Sequence, residues 1–74
     1  MRFFVDGSGR SWQIVIGRES WGTHMALLVP VGRNDPVRTA PLRAVSADAA
    51  QAEIDALDEA GLQKLVDSSR IRES

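Results

Sequence analysis

Asp6-Gly7-Ser8-Gly9-Arg10-Ser11-Trp12-Gln13-Ile14-Val15-Ile16 starts as a turn and finishes as a strand, and the fold of the chain follows from it. Asp-Gly and Ser-Gly supply the positive φ angles of tight hairpins, because glycine has no Cβ to clash there. Trp12, Ile14 and Ile16 alternate with Gln13 and Val15, the two-residue period of a strand with one strongly apolar face. Upstream, Phe3, Phe4 and Val5 form a short β-favouring run able to pair back across the turn. The chain therefore opens on a β-hairpin holding a buried tryptophan.

Outward from the hairpin, residues 17–23 read as a glycine-bounded loop containing Arg18 and Trp21. His24 to Val31 is the candidate central strand, apolar nearly throughout and so covered on both faces. Gly32-Arg33-Asn34-Asp35-Pro36 is the strongest turn signal in the chain. Val37 to Ala40 returns as a strand, and Pro41, which cannot donate to a ladder, sets it at an edge or ends it. Residues 1–43 thus predict a three- or four-stranded antiparallel meander.

From Ser46 the composition turns alanine-rich and helix-forming. Ser46 or Asp48 can cap the start. Ala47, Ala50, Ile54, Leu57, Gly61 and Leu65 share one stripe, widened by Leu62 and Val66. Leu57 before Asp58, with Leu62 following, matches a hydrophobic staple around a second cap, so 46–69 reads as one amphipathic helix or two abutting ones. The last residues, 70–74, are expected to fray. The fold class is α+β in a single small domain, its core expected from Trp12, Ile14, Ile16, Leu27, Val29, Ile54, Leu57, Leu62 and Leu65. A sheet covered by this helical segment leaves its other face bare, with Val15, Ala26 and Leu28 expected to line it.

Gly9-Arg10-x-Trp12-x-x-x-Ile16, the apolar strand, the arginine-bearing return and Leu57-Asp58-x-x-x-Leu62-x-x-Leu65 resemble a class of small uncharacterised bacterial proteins. These share a Gly-Arg-x-Trp hairpin and a C-terminal Leu-(Ser/Asp)-x-x-x-Leu-x-x-Leu helix. The resemblance covers most of the chain; it implies the β-then-α order and no activity.

Composition narrows the function. The 74 residues include no cysteine and one histidine, His24, which removes disulfides, thiolate metal sites and multi-histidine zinc sites from a single chain. No cofactor fingerprint is present: after Gly7-Ser8-Gly9, Trp12 stands where a dinucleotide loop needs its third glycine, and a strand follows instead of a helix. His24 alone could serve a nucleophile, and no nucleophile elbow accompanies it. Asp55 with Asp58 or Glu59 could pair on a helix face, as on any solvated helix surface. The N-terminal apolar run stops at Asp6, short of a secretory h-region, and the longest run, Met25 to Val31, is far below a membrane span, so a cytoplasmic protein is expected. With no catalytic or cofactor motif, it is expected to be non-enzymatic with no small-molecule substrate. Lys64 is the only lysine among nine basic residues, a codon bias that suggests a bacterial origin.

Two surfaces remain. Apolar character on both faces of the central strands calls for a second cover, which in so short a chain is another copy or a protein partner; candidate interface residues are Trp21, Arg18, Val15 and Leu28, and pairing through the edge strand 37–40 is a second route. Alternatively, Arg10, Arg33, Arg38 and Arg43 flank the sheet and could hold nucleic acid beside the aromatics. The first 45 residues carry six arginines against Asp6, Glu19 and Asp35, whereas 46–74 carry Lys64, Arg70 and Arg72 against seven carboxylates. That asymmetry lets the two halves attract each other within or between molecules.

Overall fold

The structure, a computed structural model, describes residues 2–18 and 24–72. Within them, β1 (Arg2–Val5), β2 (Ser11–Arg18), β3 (His24–Pro30) and β4 (Arg38–Pro41) run as an antiparallel meander. Two helices follow, α1 (Ala47–Asp55) and α2 (Glu59–Ser68), and a short β5 (Arg70–Ile71) closes the order β1-β2-β3-β4-β5.

The opening turn is a three-residue hairpin loop. Asp6 N–H donates to Arg10 O (2.9 Å) and Gly9 N–H to Asp6 O (3.0 Å), with Gly9 at φ 84°. That is the pattern of a turn closed by a left-handed residue, which glycine adopts without strain. Of the two glycines expected at positive φ, Gly9 alone needs it. Gly17 and Arg18, expected in a loop, complete β2 opposite Met25 and His24. Trp21 lies outside the described residues.

The helical segment breaks in two, as the second cap signal allows. Ser46 caps α1, its side chain accepting Ala49 N–H, and Asp58 caps α2, accepting Gly61 N–H at 2.7 Å. The break re-phases the apolar stripe. Ala50 and Ile54 are buried from α1 and Leu62 and Val66 from α2, while Leu57 and Leu65 pack at the margin and Ala47 is exposed. The last turn of α1 has no basic residue of its own; Arg2 on β1 supplies one, donating through Nη1 to Ile54 O (2.7 Å) and Asp55 O (3.1 Å). A cation there satisfies end carbonyls and opposes the negative end of the helix dipole.

Both helices cover one face of the sheet, α1 against β2 and β3 and α2 against β4. The register puts Ile14 opposite Leu28 and Ile16 opposite Ala26, so Ala26 and Leu28 enter the core with Trp12 and Ile14. This corrects the expectation for β3: Leu27 and Val29 face away from the helices, and Leu28, expected on the bare face, is fully buried. A uniformly apolar strand has no phase of its own; the pairing with β2 sets it. A second correction concerns the edge. β5 pairs Ile71 with Arg38 and Arg70 with Thr39, so the first half of β4 is interior, not an edge, and the tail expected to fray is paired through Ile71. β4 ends at Pro41, the other outcome expected of that proline.

Candidate functional site

At the end of the sheet where the β1–β2 and β3–β4 turns meet, three arginines surround one indole. The guanidinium carbons of Arg33, Arg10 and Arg38 lie 4.7, 5.4 and 5.9 Å from the Trp12 ring centroid. Trp12 is 1% exposed, so these cations and the core close its faces.

The cluster is organised by Asp6, whose side chain is fully buried. Its Oδ1 accepts Ser8 N–H (3.0 Å), Ser8 Oγ–H (2.8 Å) and Arg10 N–H (2.9 Å). Its Oδ2 accepts Arg10 Nε–H (3.0 Å) and Trp12 Nε1–H (2.9 Å). Burial alone would raise this carboxyl; the donors from Trp12, Arg10 and Ser8 outweigh it and hold the group well below the usual carboxylate range. Arg33 is tied differently: Nη2 donates to Ser11 O (3.1 Å) and Nη1 stands 3.3 Å from Asp35 Oδ2. The Arg38 side chain makes no hydrogen bond or ion pair among the described residues; its guanidinium lies over the Trp12 ring. Arg10, Trp12, Asp35, Pro36, Arg38 and Ile71 line a cleft of about 200 Å³.

Of the four arginines singled out in the sequence, the fold gathers Arg10, Arg33 and Arg38 and leaves Arg43 out. Arg43 follows β4 at its far end, its main-chain N–H donating to the Glu53 carboxylate (3.2 Å). Arg18 is exposed at the end of β2 remote from Trp12, opposite His24. His24 is buried, and its Nδ1 makes no hydrogen bond among the described residues. In the sequence Asp6 reads only as a turn former. The signal for its larger role is the Asp-x-Ser pattern of a side chain that caps its own turn, six residues before a buried indole.

The other surface is the helix-free face of the sheet. Register and alternation place Phe3, Gln13 and Val29 in one row and Val15, Leu27, Thr39 and Arg70 in the next. Phe3 and Val5 are 64% and 62% exposed, and Val15, Met25, Leu27 and Val29 are half-exposed. Leu27 folds over Gly17, where a Cβ would stand 2.9 Å from its Cγ; the glycine lets the leucine lie flat on the strand. Val15 is thus the one expected interface residue that the described structure sets on this face. Among the described residues, no group of three or more potential metal ligands forms and no helix is long and apolar enough to cross a membrane. Comparison with protein-family models, curated proteins and solved structures finds no match.

Proposed function

We propose that this chain is a non-enzymatic interaction domain that self-associates through the helix-free face of its sheet. The observation that carries the reading is the apolar surface of Phe3, Val5, Val15, Met25, Leu27 and Val29, left uncovered while the other face holds the whole buried core. Contiguous apolar surface of this kind marks an interaction site.

A second copy suits it well. The described rows carry one charge, Arg70 at the β5 edge, so two copies can meet without burying unpaired ions. Four strands at about 4.8 Å and roughly five residues at about 3.3 Å give a face on the order of 19 by 17 Å. Its corrugated surface is on the order of 500 Å² per copy, and two copies reach the lower bound of specific interfaces. A two-fold pairing brings the same rows together from both sides. The chemistry-bearing groups support the non-catalytic part of the reading, since all the acceptor positions Asp6 uses serve the hairpin.

Sedimentation equilibrium over a wide concentration range tests it. The wild type should show reversible dimerisation, and Val15→Glu should remain monomeric with an unchanged circular dichroism spectrum. A monomer at every concentration, or a Val15→Glu dimer of equal affinity, would remove the reading.

A further inference from the structure

We infer that the cleft between Arg10 and Arg38, floored by Trp12, binds a phosphate group. The site is separate from the helix-free face and does not depend on its association.

The charges around Trp12 do not cancel. Asp6 is consumed by five donors of the hairpin, one of them Arg10 Nε–H. Asp35 sits beside Arg33. Arg38 is half-buried, in ring contact with Trp12, and unmatched by any acid among the described residues. Three guanidiniums held within 6 Å of one ring repel one another, and an anion in the cleft relieves that repulsion. Arg10 uses Nε toward Asp6 and Ser8 Oγ, and among the described residues its terminal amino groups make no hydrogen bond. With Arg38 it offers two forks to a single anion, the geometry that suits phosphate oxygens.

The surroundings define the ligand further. The volume of about 200 Å³ is below that of sites for whole drug-sized molecules, so the cleft takes a phosphate and not an attached base. Trp12 is too buried to stack a base. Pro36 and Ile71 wall the cleft with apolar surface, which lowers the local dielectric and strengthens the ion contact. The source of the phosphate is either the free ion or the phosphodiester of a single nucleic-acid strand.

The test is an NMR titration of the full chain, following the Trp12 Nε1–H and arginine Nε–H signals, with inorganic phosphate, acetate and a ten-nucleotide thymidine strand as probes. Phosphate should give saturable shifts at Trp12 and Arg38. Arg38→Gln should weaken binding roughly tenfold, and Arg43→Gln should leave it unchanged. Arg10→Gln provides a second loss variant should Arg38→Gln lose its dispersed spectrum. If the strand also binds, with a salt slope reduced by about one in Arg38→Gln, the phosphodiester is the source; if phosphate binds and the strand does not, the free ion is. Absence of saturable shifts with either phosphate probe would overturn the assignment. So would acetate binding as tightly as phosphate, or affinity unaltered in both arginine variants.

Discussion

The Asp6 carboxylate accepts the Trp12 indole N–H at 2.9 Å from across the hairpin turn, inside the protein. This bond joins the turn to the core, because the same carboxylate holds Ser8 and Arg10 while Trp12 packs with Ile14 and Leu28. Asp6→Asn keeps the size but turns one acceptor into a donor facing other donors. It should cost about 2–3 kcal/mol at neutral pH, measured by urea unfolding.

The pH dependence of that loss has a definite sign. The folded-state carboxyl is held below its unfolded value of about 3.9, so its contribution is complete above that value and disappears as pH falls through the folded one. The stability gap between wild type and Asp6→Asn should be flat from about pH 5 to 8 and narrow steadily below about pH 4. A gap that widens in acid would contradict the bonding described.

Arg2 is the outside partner of α1. Its guanidinium meets two carbonyls at a helix end that has no basic residue of its own. Arg2→Ala should destabilise by about 1–2 kcal/mol, and Arg2→Lys should recover part of this. Asp58→Ala removes the α2 cap and should cost about 1 kcal/mol by the same urea measurement. Arg2 grips the α1 end only three residues before Asp58, so the double variant measures the coupling between the two sites.

Neighbouring leucines on β3 should behave in opposite ways. Leu28 is fully buried among core side chains, and Leu28→Ala should cost about 3 kcal/mol through lost transfer energy and the cavity left behind. In a domain of this size that is a large share of the total stability. Leu27 stands on the helix-free face, so Leu27→Ala should cost below about 1 kcal/mol in the monomer while weakening the proposed dimer. Unfolding at low and high protein concentration separates the two effects.

That pair also marks where the sequence stops being legible. β2 announces its faces because Gln13 interrupts the apolar residues, and the caps at Ser46 and Asp58 announce the helices. His24 to Val31 carries no such interruption, so its phase depends on a register that only the assembled sheet defines. β5 is illegible for a different reason. Two residues give no periodicity, and Arg70 and Ile71 pair only because the helices return the chain to β4. At the site, the arginines were visible as a set. Their convergence on Trp12 was not, because Arg10, Arg33 and Arg38 arrive from separate strands and turns.

The two glycines of the first turn offer a final contrast. Gly9 has φ 84°, a region costly for any residue with a Cβ, although nothing within 4 Å would touch that atom. Gly7 is free of that constraint, and a Cβ there would meet only Gln63 Oε1 at an ordinary 3.5 Å. Gly9→Ala should therefore destabilise by about 1 kcal/mol through backbone strain alone. Gly7→Ala should be neutral or slightly stabilising, since it restricts the unfolded chain without straining the folded one. Thermal unfolding of both variants checks this hairpin, since a turn that held Gly7 as well as Gly9 at positive φ would penalise both substitutions alike.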